Sequence, residues 1–166
     1  MEWTSASSVQ HETDLGTLFG DLIRLETQLW DLVDARMRRD HGLALSWFEP
    51  MQVIDRTPRC RVIDIAEALS ITIGGTSKLV DWIETAGWCG RSPHSDDGRS
   101  SMIELTPAGR GLLVEAQRTF ADEVDIRLGA LLTPIELQRF ANTVRTLRAS
   151  LHELRETPDD ANPPGG

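Results

Sequence analysis

Residues 72–105, TIGGTSKLVDWIETAGWCGRSPHSDDGRSSMIEL, decide how this chain folds. The first half reads as a helix. Thr72 is a good N-cap, Leu79, Val80 and Ile83 fall at core spacing, and Gly87 terminates a run that reaches about Thr85. The second half changes period. Trp88-Cys89-Gly90-Arg91 reads as one strand, and Ser101-Met102-Ile103-Glu104-Leu105 alternates like a second. Between them Ser92 to Gly98 is dense in turn formers, so the pair is a β-hairpin with a long polar tip.

Working outward, Val62–Leu69 forms a short helix with Ile65, Ala66 and Leu69 inward, and Ser70-Ile71 makes a brief turn into Thr72. Two helices joined by such a turn are a helix-turn-helix, and a hairpin directly after it makes a winged helix. Another helix covers Ser46 to Asp55, with Pro50 at its fourth or fifth position, where a first-turn proline is tolerated. From Asp14 to about Arg39 a long amphipathic helix carries Leu15, Leu18, Phe19, Leu22, Leu25, Leu29, Val33 and Met37, and Gly42 caps it in a left-handed conformation. On the other side Thr106-Pro107 opens a fifth helix to about Leu128. Thr133-Pro134-Ile135-Glu136 is a capping box for a sixth. That last helix sets Leu137, Phe140, Val144, Leu147, Leu151 and Leu154 at steps of 3, 4, 3, 4 and 3, a narrow seam. The seam packs either on a helix of the same chain or across two chains, and its place late in the chain favours two chains.

The 166 residues hold 17 Lys+Arg against 26 Asp+Glu, a formal net charge of −9. A chain of this length buries roughly 70% of its unfolded surface, so one domain without disulfide or metal staples is expected. With 40% apolar and 26% charged residues, disorder over most of the length is excluded. Met1 to Glu12 lack the basic start and apolar run of a signal peptide, and no apolar stretch nears the roughly 20 residues that span a bilayer. The only cysteines, Cys60 and Cys89, have no CxxC spacing; a cytoplasmic protein without a membrane partner is expected. The acidity argues at first sight against nucleic acid. Its distribution weakens that argument: residues 1–55 carry 4 basic and 10 acidic groups, residues 111–166 carry 6 and 9, and residues 56–110 carry 7 of each.

Thr72 to Gly87, then Arg91, Asp97-Gly98-Arg99-Ser100 and Leu105-Thr106-Pro107-Ala108-Gly109, resemble a MarR-type transcriptional regulator, a likeness running from about Asp14 to Leu154. An Asp-x-Arg followed by Leu-Thr-x-x-Gly is more restrictive than a helix-turn-helix alone. The resemblance implies a mainly α fold with a small β-hairpin wing, flanked by N- and C-terminal dimerisation helices. Residues 12–44 and 106–156 are then the dimerisation helices and 45–105 the DNA-binding lobe, between a flexible tail at 1–11 and a disordered one at 157–166. The implied function is a sequence-specific regulator of double-stranded DNA, a homodimeric repressor on a pseudo-palindromic operator, released by a small aromatic effector and needing no cofactor.

Residue by residue, Thr72, Gly74, Gly75, Thr76 and Ser77 are small or hydroxylic and let the helix start approach base edges, while Lys78 reaches a phosphate or a guanine. The two glycines cost roughly 1 kcal/mol each relative to alanine, which suits close approach. The family pattern makes Arg91 and Arg99 wing contacts to DNA and Asp97 the residue that shapes the tip. Gly90, Gly98 and Trp82 stand where relatives commonly carry basic residues, so affinity should be modest and salt-sensitive. Trp30, Trp47, Phe48 and Met51 are candidates for an effector crevice, although such residues are more often plain core. Cys60, between Arg59 and Arg61, and Cys89 are redox candidates, with inert thiols the favoured reading. His11, His41, His94 and His152 lack metal-ligand spacing. No nucleophile triad, phosphate-cradling glycine loop or HExxH speaks for an enzyme. Two other classes stay open: a winged-helix protein-interaction module, and a redox or ligand sensor with weak DNA binding.

Overall fold

The structure, a computed structural model, describes residues 14–93 and 101–156; the two expected tails and the hairpin tip lie outside the described residues. In chain order the elements are α1 (Leu15–His41), α2 (Leu45–Arg56), α3 (Val62–Leu69), α4 (Ile73–Thr85), β1 (Cys89–Pro93), β2 (Ser101–Leu105), α5 (Pro107–Arg127) and α6 (Pro134–Glu156), with a 3-10 turn at Gly129–Leu131. The fold is therefore mainly α with a two-stranded antiparallel hairpin, as the sequence predicts. The chain forms two compact units, divided between Ala121 and Asp122.

Local chemistry sets most boundaries. The Asp14 carboxylate accepts the N–H groups of Gly16 and Thr17, both at 3.1 Å, and opens α1. The Thr17 hydroxyl, followed by those two N–H groups, holds that carboxyl below its ordinary range. Gly42, at φ 64°, closes the same helix. Thr72, Thr106 and Thr133 begin α4, α5 and α6 by accepting backbone N–H groups from Gly75, Gly109 and Glu136. Glu136 returns the contact to the Thr133 N–H at 2.9 Å, completing the predicted capping box.

Helix α2 and strand β1 start elsewhere than the sequence reading places them. Helix α2 starts at Leu45, whose N–H is taken at 2.7 Å by Asp34 of α1. Pro50 thus lies in the second turn rather than the first, where it has no N–H to offer the Ser46 carbonyl. Strand β1 runs from Cys89 to Pro93 rather than from Trp88 to Arg91, and the Trp88 carbonyl accepts the N–H of Thr106, the next pair in register, at 3.0 Å.

In the first unit Met37, Phe48, Met51, Ile65, Val80, Ile83, Ile103 and Leu113 are almost completely buried. Burial of each such side chain contributes about 1.5–3 kcal/mol. The hairpin pairs Cys89 with Leu105 through Pro93 with Ser101, so Ile103 and Leu105 face the core. The Ile103 N–H also bonds the Cys60 carbonyl at 2.7 Å and fastens the segment before α3 to the sheet. In the second unit Arg127 donates to the buried Glu123 at 2.8 Å. Phe140, Val144, Leu147 and Leu151 of the α6 seam are exposed, and Leu137 is half-buried. Leu15, Leu18, Phe19 and Leu22 at the start of α1 are exposed as well.

Helix α5 meets the end of α4 at its first turn. The Thr106 hydroxyl donates to the Gly87 carbonyl at 2.7 Å and accepts the Gly109 N–H at 3.0 Å. A Cβ on Gly109 would stand 2.0 Å from the Trp88 carbonyl oxygen, so only glycine fits. Gly109→Ala is expected to lower stability by roughly 2–3 kcal/mol through overpacking, read as a fall in the urea midpoint. At Gly111 an added Cβ meets nothing within 4 Å. Gly111→Ala should therefore leave the midpoint unchanged or raise stability by up to about 1 kcal/mol.

Candidate nucleic-acid interface

Helix α3 ends on Ser70, which takes a left-handed φ of 56°, and the Ile71 N–H reaches back to the Ala66 carbonyl at 3.0 Å. That sharp turn sets Thr72 at the start of α4. The Thr72 hydroxyl accepts the Gly75 N–H at 3.2 Å, and a Cβ on Gly75 would press on that hydroxyl at 3.0 Å. Gly75 therefore protects the cap. A Cβ on Gly74 would meet nothing within 4 Å. Val80 and Ile83 anchor the helix in the core.

Of the predicted reading residues, Thr72, Gly74, Gly75 and Lys78 are exposed and Ser77 is half-buried. Thr76 is not available. It is fully buried, and its hydroxyl donates to the Thr72 carbonyl at 2.9 Å. Its place one helical position before Ser77 turns it inward, and that packing corrects the expectation drawn from its side-chain type. Ile73 and Trp82, by contrast, are exposed on the same helix at 56% and 55%. The sequence reading assigns Ile73 no role.

Arg91 is placed on β1, opposite Ile103. Its guanidinium bonds Glu84, and also Asp81 at 2.6 Å, while its backbone N–H donates to Glu84 at 3.1 Å. The side chain is three-quarters covered. Its charge is thus engaged with two carboxylates of α4, and it ties the hairpin base to that helix. The i, i+3 spacing of Asp81 and Glu84 was the available signal. Asp97 and Arg99 lie outside the described residues.

The four crevice candidates differ in exposure. Phe48 and Met51 are fully buried core, with the Phe48 ring 5.0 Å from that of Phe120. Trp30 is half-buried on α1. Trp47 lines an open groove of about 500 Å³ with Trp82 and Thr85 of α4 and with Ala86 just after that helix. The Trp47 ring also makes an edge contact with Trp88 at 5.6 Å. A second cavity, of about 470 Å³, lies between the start of α3, α4 and the hairpin base.

Cys60 and Cys89 are both buried and reduced. Burial pushes each thiol up to about 11, with a further rise from Asp64 at Cys60 and from Glu84 at Cys89. The flanking arginines do not lower Cys60, because loss of solvent dominates. Among the described residues no group of three or more His, Cys, Asp or Glu side chains is placed to hold a metal ion. No helix among them is long and apolar enough to cross a membrane.

Residues 46–101 match the model of the MarR family. Over 75 residues the chain is 24% identical to the multiple antibiotic resistance protein MarR of Salmonella typhimurium, an alignment covering 45% of this chain and 52% of that protein. The chain thus spans about half the length of the curated relatives it matches. Among solved structures it resembles Sco3205 of Streptomyces coelicolor, a MarR family transcriptional regulator in complex with DNA. The TM-score there is 0.77 at 23% identity, covering 89% of this chain and 94% of that one. AbsC of the same organism, also a MarR family transcriptional regulator, gives 0.76 at 17% identity, covering 85% and 97%. At these identities the likeness establishes the fold.

The thiol environment gives a direct test. At pH 8 each cysteine should react with a thiol reagent about a hundredfold more slowly in the native protein than after unfolding in urea, since the two-unit rise removes most thiolate. Native labelling of either cysteine at the unfolded rate would contradict this burial.

Proposed function

Because residues 46–101 are a MarR-family segment in a chain with the fold of that family's regulators, we propose that the protein is a DNA-binding transcriptional regulator acting as a homodimer. The observation that carries the reading is the start of α4. Thr72, Gly74, Gly75, Ser77 and Lys78 form a low, hydroxylic, singly cationic surface at the helix terminus, and the hairpin is bound to the same helix. Small residues let the backbone approach base edges, and Lys78 supplies a phosphate or guanine contact. Arg99, on the tip, is the second backbone contact and Asp97 the residue that shapes the turn.

Residues 45–105 form the reading lobe in this proposal, and 12–44 with 106–156 the dimerisation helices. Support comes from the apolar surface of the single chain: Leu15, Phe19, Leu147 and Leu151 are each more than half exposed. Exposed apolar residues clustered on one helix mark contact sites, and each of these two pairs lies on one helix, α1 or α6. A two-fold dimer reads a pseudo-palindrome, and repression follows from covering promoter DNA in the cytoplasm.

Effector release is the finer part of the proposal. The groove of about 500 Å³ lined by Trp47 and Trp82 backs directly on α4 and accepts a small aromatic molecule. Such a ligand weakens DNA binding only if it favours an α4 arrangement that does not fit the groove of the duplex. Ligand entry should quench the indole emission in parallel with loss of DNA binding.

The decisive test is fluorescence anisotropy against the DNA upstream of the protein's own gene, with a scrambled duplex as control, at several salt concentrations. Selective binding with a steep salt slope is expected. Arg99→Ala should weaken binding on every sequence and reduce the slope, whereas Ser77→Ala should change sequence preference. If a folded dimer shows no selectivity at low salt, and Lys78→Ala and Arg99→Ala leave its function intact, the lobe is a protein-interaction module instead.

A further inference from the structure

Helix α4, IGGTSKLVDWIET, contains no Arg, Asn or Gln, so Lys78 is its one side chain of the kinds that read guanine or adenine edges by paired hydrogen bonds. Two arginines line the cavity beside it, but Arg61 is held by Asp64 at 3.5 Å and Arg91 by Asp81 and Glu84. What this side of the helix does present is apolar. Ile73 is 56% exposed at the first helical position, and Ile63, at the start of α3, is 39% exposed. Both line the cavity of about 470 Å³, together with Val62 and Ser77. Gly74 beside Ile73 has no side chain, so nothing on that position holds a base away from the Ile73 methyl groups. The major-groove feature that an aliphatic side chain recognises is the C5 methyl group of thymine.

We propose that Ile73, backed by Ile63, is a specificity-determining residue that reads a thymine methyl group in each half-site. This rests on the DNA-binding reading above and adds to it the chemistry by which bases are selected: apolar contact in addition to hydrogen bonding. An exposed isoleucine on a soluble surface is costly to hydrate, and a methyl group buried against it gains about fourfold in affinity.

The experiment begins with selection of a preferred duplex from a random pool by the purified full-length protein. Thymidine is then replaced, one position at a time in both half-sites, by deoxyuridine, which differs only by that methyl group. Kd is measured by anisotropy at fixed salt for the wild type, Ile73→Val and Ile73→Ala. One symmetric position should cost the wild type about 16-fold, fourfold per half-site. The penalty should persist in Ile73→Val and fall below about twofold in Ile73→Ala, with an unchanged salt slope. A structural role for Ile73 would weaken binding to the thymidine and deoxyuridine duplexes equally. A selected duplex with no methyl-sensitive position, or an Ile73→Ala protein that keeps the full penalty, overturns this inference alone. Enrichment of no sequence by a folded dimer overturns it together with the DNA-binding reading.

Discussion

The contact on which the rest of the reading lobe depends is the seating of α5 on the backbone of Gly87 and Trp88. Thr106 holds both carbonyls, one through its hydroxyl and one through its N–H, and Gly109 lies where any Cβ would strike the Trp88 oxygen. This junction joins the end of α4 to the start of α5 and continues the hairpin pairing to Trp88 and Thr106. The Trp88 ring meets Trp47 edge-on and so links the junction to α2. Three elements take their relative placement from one threonine and one glycine. The Leu-Thr-x-x-Gly pattern thus has a steric origin, independent of any partner.

Electrostatics build the lobe as much as they recognise anything with it. Arg91 lies three-quarters covered between Asp81 and Glu84, and the three residues fix the direction in which β1 leaves the helix. Breaking such a partly buried arrangement by removing one member would leave a charge without its partner. The middle of the chain, with seven basic and seven acidic residues, is neutral. Its cations are in good part engaged internally, so a duplex would meet a surface selected for fit more than for charge. This suits modest affinity with pronounced sequence preference.

Features governed by a few neighbouring residues were legible in the sequence. Helix α3 runs over the predicted residues, and Thr72, Thr106 and Thr133 cap the helices they were assigned to, because capping depends on a side chain and an N–H about three residues apart. What was not legible depended on distant partners. Asp34 capping Leu45 moved the start of α2 and with it the position of Pro50. Thr76 and Ser77 look alike as residue types, and only packing separates the buried one from the available one. Phe48 and Met51 could not be told from crevice residues until Phe120 and the rest of the core surrounded them. Arg91 had the composition of a DNA contact, and the two acids one turn of α4 apart claimed it. The α6 spacing is the same for a seam within one chain and for one across two, and Phe140, Val144, Leu147 and Leu151 are exposed.

The central claim, that two copies of this lobe read one duplex, is tested most directly by hydroxyl-radical footprinting on a selected duplex. The account predicts two protected patches related by two-fold symmetry, with centres one helical turn, about 10 bp, apart. A single patch, or uniform weak protection that follows no symmetry, would contradict it.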